Sequence, residues 1–319
     1  MNRTKWKTRV TELLGIRYPI IQGALAGIGK AELAAAVSEA GGLGMITAWT
    51  LRTPERLRDE IHRARGMTDK PFAVNLSPAM DPALAAMREV AIEERVPVIE
   101  TAGSRAVEHG IRVKHAGLTW IHKVQTVKHA IAAERDGADA VCIMGIEGAG
   151  LKSPLILTTL VSVPMAVMHL KIPVIAAGGI GDARTFLGAL ALGAEAVQLG
   201  TVFCAVKECP LADQYKRALV GADPYNPKWR DAILATPTVE DIRRLKDAVG
   251  SKAVMQAAAK AEGTGIPEEA GTGAISLAIG FINEIVTVKE LVDGIINGAE
   301  EILTCEGIGG WKLAPEESA

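Results

Sequence analysis

Short runs of apolar residues alternate along the chain with longer segments whose apolar positions recur every three or four residues. The short runs are Tyr18–Gln22, Leu43–Thr47, Phe72–Leu76, Pro97–Glu100, Trp120–Val124, Ala140–Met144, Pro173–Ala177 and Ala196–Leu199, which predict eight strands. Gly, Asn, Ser and Thr cluster at their carboxyl ends, as expected where a parallel strand hands over to a helix. Between them the helical period predicts Lys30–Ala40, Pro54–Arg65, Asp81–Glu94, Ala106–His115, Thr126–Asp136, Leu155–Leu170 and Asp182–Leu192. Eight β-α units in about 200 residues predict a (β/α)8 barrel. A doubly wound open sheet shares this element order and stays the alternative, because strand order cannot be read from the sequence.

After Cys209 the pattern changes. Leu211–Val220, Val239–Val249 and Lys252–Ala261 read as helices with no strand between them, Gly263–Gly273 reads as a loop, and Ile275–Leu303 returns to helical periodicity. The expected division is a barrel over residues 1–208, a helical cap over 209–273, and helices within 274–305 that complete the barrel.

The 35 Lys and Arg against 37 Asp and Glu give a net charge of -2, which supplies no cationic footprint for nucleic acid. Cys142, Cys204, Cys209 and Cys305 form no Cys-x-x-Cys pair, so neither a disulfide framework nor a metal site is expected. The basic start, Met1 to Glu12, lacks the apolar run of a signal peptide, which makes the cytoplasm the expected location. The least charged stretch, Ser153 to Leu170, contains Pro164, His169 and several hydroxyls. It reads as a buried or interface helix rather than a membrane span, and leaves room for a homodimer.

In a barrel, the residues just after each strand form one ring at the functional face. Two glycine turns stand out there: Ala177-Gly178-Gly179-Ile180-Gly181, leading to Asp182 at a helix start, and Leu199-Gly200-Thr201. Backbone N–H groups in such turns hold phosphate, so a phosphorylated cofactor is expected; the alternative is that the glycines only permit tight turns.

Tyr18-Pro19-Ile20-Ile21-Gln22-Gly23, Ala40-Gly41-Gly42-Leu43-Gly44, Pro71-Phe72-Ala73-Val74-Asn75-Leu76, Ala177-Gly178-Gly179-Ile180, Ala191-Leu192-Gly193-Ala194 and Gln198-Leu199-Gly200-Thr201 together resemble the nitronate monooxygenase (2-nitropropane dioxygenase) family. Glu100-Thr101-Ala102-Gly103 and Ile121-His122-Lys123 look most like its branch that includes bacterial NADH:quinone reductases. The resemblance implies an FMN-binding barrel, related to FMN-dependent enoyl-acyl-carrier-protein reductases, with NADH or NADPH as a co-substrate. It also implies that Gly23, Ala24 and Leu25 approach the flavin ring through backbone and that Asn75, Ser77 and Lys123 flank it. Gly178, Gly179, Gly200 and Thr201 would hold the phosphate, with Gly150 as a further contact.

One motif departs from the family pattern. The family's catalytic His falls where this chain reads Glu147-Gly148-Ala149-Gly150-Leu151-Lys152-Ser153-Pro154, so that Leu151 takes its place. Met144 stands where the branch tends to carry an acid, and the loop after Asn75 lacks the branch's aromatic and Pro-rich insert. Met144 and Leu151 therefore read as the wall of a pocket for a small apolar substrate. Lys123 stays a candidate for charge stabilisation and Glu147 for acid/base work, whereas Lys152 is a poor base unless buried. His122 points away from Lys123 if both lie in a strand, which predicts a packed histidine. The leading expectation is an FMN-dependent oxidoreductase that passes electrons from a nicotinamide or reduced substrate to a quinone, an unsaturated carbonyl compound or dioxygen. Oxidation of pre-formed nitronates is the second reading, and a non-catalytic flavin-binding barrel is the third.

Overall fold

The computed structural model describes residues 6–77, 83–234 and 275–306. Its strands are Ile20–Gln22 (β1), Gly44–Thr47 (β2), Phe72–Leu76 (β3), Val98–Ala102 (β4), Thr119–Val124 (β5), Ala140–Met144 (β6), Val174–Ala177 (β7) and Ala196–Leu199 (β8). All pair in parallel, in the order β1-β8-β7-β6-β5-β4-β3-β2. The two ends of that order meet at an Ile21–Leu43 bridge, where Gln22 N donates to Leu43 O at 2.9 Å and Leu43 N to Ile20 O at 2.9 Å. β1 is too short to continue this pairing, and the Gln22 side chain replaces it: Nε2 donates to Met45 O (2.9 Å) and Oε1 accepts from Met45 N (3.2 Å). The sheet closes into a (β/α)8 barrel, which excludes the open-sheet alternative.

Strand alternation divides the buried residues between two cores. On β6, Val141 and Ile143 face the helices, while Ala140, Cys142 and Met144 face the barrel interior. Helices Ala31–Glu39 (α2), Pro54–Arg65 (α3), Leu84–Glu93 (α4), Val107–His115 (α5), Val127–Arg135 (α6), Thr159–His169 (α7) and Ala183–Ala191 (α8) surround the strands. A preceding helix, Arg9–Leu14 (α1), was not expected. It brings Val10, Leu14 and Ile16 into the interior cluster with Ile21, Val98 and Ile175. Six residues are too few to show a period, but Thr8 and Thr11 cap one another at its start.

Beyond β8 come Asp213–Val220 (α9), Pro227–Leu234 (α10), which the sequence pattern did not reveal, and Val288–Glu301 (α11). Ile275–Leu303 is not one helix: a 3-10 turn at Leu277–Phe281 precedes the Thr287 capping box that starts α11. α11 packs against α8 and α2, the place of the eighth barrel helix between β8 and β1. Trp6 joins the same junction, donating from Nε1 to Glu300 (3.1 Å) and meeting the Phe186 ring edge-on. The helices expected at Val239–Val249 and Lys252–Ala261, and the loop Gly263–Gly273, lie outside the described residues. Among the described residues no helix is long and apolar enough to cross a membrane.

Candidate active site

A cleft opens at the carboxyl ends of the strands. The turn after β1 contributes Gly23, Ala24 and Leu25, β5 contributes Lys123, and β6 with its following loop contributes Met144 and Gly148–Gly150. Gly178, Gly179, Gly200 and Thr201 close the other side. Ten residues singled out from the sequence are thus brought together, although they come from five strands.

The glycine turn after β7 is built for close approach. Gly178 and Gly179 adopt φ of 104° and 71°, a left-handed pair that side chains disfavour. The N–H groups of Gly179 and Ile180 find no acceptor among the described residues, so they are available to an anion in the cleft. Across from them, the Thr201 hydroxyl accepts from Ser276 N and Oγ at 2.8 Å each. Ser276 and Trp49 also line the cleft, and sequence reasoning missed both. Ser276 lies 77 residues beyond the end of β8 at Leu199, and Trp49 sits in a 3-10 turn after β2, so neither belongs to a strand-end glycine pattern.

Four candidates lie elsewhere, Glu147 among them. Asn75 points inward from β3 but is fully enclosed, donating from Nδ2 to Glu100 Oε1 at 2.8 Å. Ser77 turns its hydroxyl to Ala102 O (3.4 Å). Leu151 is half-buried in the loop after β6 and is not among the residues lining the cleft.

Glu100 was missed as a site residue. It sits inside the barrel, where Asn75 and Gln198 donate to its two oxygens and the charge of Lys123 acts on it. Burial pushes its carboxyl above the ordinary range, against the opposing pull of Lys123 and the two amides. Gln198 also accepts from Cys142 Sγ (3.4 Å), and burial raises that thiol to about 12. The signal was available: with Val98 facing inward, the strand alternation places Glu100 inward too.

Glu147 is not among the residues that line the cleft. Its carboxylate accepts from Thr159 N (2.9 and 3.1 Å) and Thr159 Oγ1 (3.0 Å), which fastens the start of α7. Thr158, the N-cap residue, makes no side-chain cap of its own, so Glu147 supplies the missing acceptor. His122 is packed as expected: Trp120 Nε1 donates to Thr101 Oγ1 (2.7 Å), which leaves the threonine hydroxyl to donate to His122 Nδ1 (2.7 Å). Burial lowers the His122 pKa to about 4, so its ring is neutral. Among the described residues that line the cleft, Lys123 is the one with a formal charge.

This arrangement can hold a ligand with an anionic end on the glycine turns, a flat body between apolar walls, and electron-rich atoms near Lys123. The chain is similar along most of its length to proteins of known structure. FabK from Thermotoga maritima shares 35% identity at a TM-score of 0.81, covering 93% of this chain and 97% of that one. A nitroalkane oxidase from Streptomyces ansochromogenes shares 26% at a TM-score of 0.72, covering 93% and 99%. Among curated relatives, a 5-hydroxy-7a-methyl-1-oxo-octahydro-1H-indene-4-carboxyl-CoA dehydrogenase of Mycobacterium tuberculosis is 38% identical over 218 residues, 68% of this chain. The match spans 61% of that relative's length, and 58% of its Rhodococcus jostii counterpart. The profile of the nitronate monooxygenase family fits residues 7–298, and with the closed barrel and the glycine turns at its rim this shows that the chain belongs to that family.

Proposed function

We propose that this chain is an FMN-dependent oxidoreductase that takes electrons from a nicotinamide or other reduced substrate and passes them to an apolar acceptor or dioxygen. The observation that carries this reading is the pairing, in one cleft, of the Gly178–Gly179 and Gly200–Thr201 turns with an apolar wall and a single cation, Lys123. The residues present fit FMN. The turns offer unpaired N–H groups for one phosphate, while Ala24, Leu25, Met144 and Ile180 offer walls for a planar ring. Bound there, the cofactor supplies the two-electron chemistry. Lys123 would stabilise negative charge on the bound cofactor, and Glu100, which accepts from the Gln198 amide, would hold that amide in place. The walls exclude water and favour apolar acceptors.

No imidazole stands among the described residues lining the cleft, which favours a second reading, oxidation of nitronates that arrive already deprotonated. In this reading Leu151 occupies the position of the family's histidine, and no residue is needed to remove a carbon-bound proton. One experiment separates the two readings. The purified protein is expected to be yellow and to release FMN on heating, and anaerobic NADH or NADPH is expected to bleach it. A colourless protein that takes up no FMN defeats both readings. A yellow protein that neither nucleotide bleaches, but that turns over ethyl nitronate and not neutral nitroethane, establishes the second.

A further inference from the structure

The polar side chains inside the barrel form one layer directly beneath the cleft. Asn75 and Glu100 are register partners across β3 and β4, Lys123 and Cys142 across β5 and β6, and Gln198 comes from β8. Two residues earlier on the same strands, Ala73, Val98, Ile121, Ala140 and Ala196 make the next layer apolar. Glu100 is fully buried, and its two oxygens accept from amides, one from Asn75 Nδ2 at 2.8 Å and the other from Gln198 Nε2. Lys123 and Gln198 also line the cleft, so the carboxylate stands one side chain away from a bound cofactor. Lys123 acts on Glu100 through charge alone, because among the described residues the two form no ion pair.

This network can close in two ways. As it stands, Gln198 donates from Nε2 to Glu100 and accepts at Oε1 from Cys142 Sγ at 3.4 Å. Half a turn of the amide lets Oε1 accept from a protonated Glu100 and lets Nε2 donate to the sulfur instead, while Asn75 keeps the other carboxyl oxygen. A thiol serves both arrangements, since its S–H is a weak donor and its sulfur a weak acceptor. Burial holds Cys142 in that form, with a pKa of about 12. The layer thus matches a carboxylate or a carboxylic acid at Glu100 with its hydrogen bonds made in either state.

Reduction of the cofactor is the event that shifts this balance. A hydride from the reduced substrate brings two electrons and one proton, which leaves one more negative charge in the cleft beside Lys123. That charge competes with Glu100 for the same ammonium, and two anions in a sealed site of low dielectric repel each other. We infer that Glu100 takes up one proton from solvent, by way of the cleft, when the bound FMN is reduced and releases it on reoxidation, with the Gln198 amide turning to accept the new O–H. The proton bonds to Glu100 Oε2 and offsets the added charge, so Glu100 is a charge-balancing residue that acts through Gln198 and Lys123. Burial already raises its pKa, against the opposing charge of Lys123. The titratable groups facing it are Lys123 from β5 and Cys142 from β6; β1, β2, β3, β7 and β8 contribute none. This inference rests on the oxidoreductase reading above.

The test is an anaerobic potentiometric titration of the FMN-loaded protein, followed by flavin absorbance and repeated from about pH 5.5 to about pH 9. Two electrons with one proton lower the midpoint potential by about 30 mV per pH unit, and a second proton doubles the slope to about 60 mV. Wild type is expected to follow the steeper slope over part of the range, and Glu100→Gln the shallower slope throughout. Cys142→Ala removes the sulfur that receives the turned amide and should shorten the steep range; Cys142→Ser, whose hydroxyl both donates and accepts, should restore it. Wild type alone gives a readout that does not depend on whether a variant folds. Its reduced-minus-oxidised infrared spectrum should gain the C=O stretch of a protonated carboxyl and shift an S–H stretch that Cys142→Ser lacks. A steep slope that persists in Glu100→Gln puts the second proton on the cofactor and overturns the inference. So do a shallow slope in wild type, an infrared spectrum without the carboxyl band, or a Cys142→Ala protein indistinguishable from wild type. In each of these cases a yellow, reducible protein leaves the oxidoreductase reading standing, whereas a protein without FMN overturns that reading instead.

Discussion

Gly179 and Gly200 both line the cleft at the turns proposed to hold a phosphate, but a substitution would act on them differently. At Gly179 a side chain would meet a left-handed backbone (φ 71°) and the Glu147 Cβ at 3.2 Å, so misfolding and loss of ligand could not be told apart. Gly200 has φ -121°, and a Cβ there would touch only Leu25 Cδ2 at an ordinary 3.6 Å. Gly200→Asp should therefore keep the wild-type circular dichroism and melting temperature while binding FMN at least about 100-fold more weakly, because its carboxylate repels the phosphate. Flavin absorbance after gel filtration reads the outcome. His122 gives a pH prediction. Its folded pKa of about 4 lies below the unfolded value of 6.5, so its contribution is fully present above pH 6.5 and is lost as the pH falls through 4. The shift corresponds to about 3 kcal/mol, an order-of-magnitude figure. Urea unfolding at pH 7 and pH 4.5 should show His122→Gln losing about 2 kcal/mol less than wild type on acidification. Equal losses would mean that the ring is not neutral in the folded protein.

At the scale of elements, Glu147 shows how a loop carboxylate suited by position to catalysis can be committed to architecture. Its bonds to Thr159 replace the side-chain cap that Thr158 does not make, and they place a negative charge at the positive end of α7. Glu147→Gln keeps one acceptor but loses the charge. The expected cost is about 1 kcal/mol of stability, with kcat within about threefold of wild type. A drop in kcat of about 100-fold at unchanged melting temperature would return Glu147 to acid/base work. The strands themselves were legible because each is a short apolar run, and β3, β6 and β8 match at both ends the boundaries the pattern gives. α7 was read as starting at Leu155, but it begins at Thr159, where Glu147 provides the acceptor. That acceptor is a tertiary contact, which no local pattern contains.

The whole molecule depends on one closure that the chain makes late. α11 covers the seam between β8 and β1, burying Val292 and Ile296 against the outer core, although the chain leaves β8 at Leu199 and reaches α11 only at Val288. Because β1 and β8 also carry the turns that wall the cleft, seam and site should fail together. Val292→Asp places an unpaired carboxylate at a position with 0% exposure, and it should cost about 3 kcal/mol or more. Flavin release and loss of far-UV dichroism should then coincide in thermal melts. Retention of FMN in a molecule that has lost only the helical signal of α11 would show that the barrel closes without it.

By itself, the sequence determined the eight successive β-α units and the strand-end glycines of the cleft, because both are written in local features, apolar runs at strand spacing and glycine turns at strand ends; closure of the sheet into a barrel was decided by the pairing of β1 with β8 and with Leu43. Tertiary structure alone decided how deep each strand-end residue sits and what it faces. Asn75 and Lys123 are both near strand ends, yet Asn75 is sealed beneath the cleft by its bond to Glu100 while Lys123 borders two cavities. Lys152 shows the same limit. As a sequence neighbour of Leu151 it reads as an ordinary surface cation, yet in the structure it is buried, with its ammonium donating to Ile233 O of α10. Burial depth and partner identity depend on segments distant in the chain, so no local pattern could carry them.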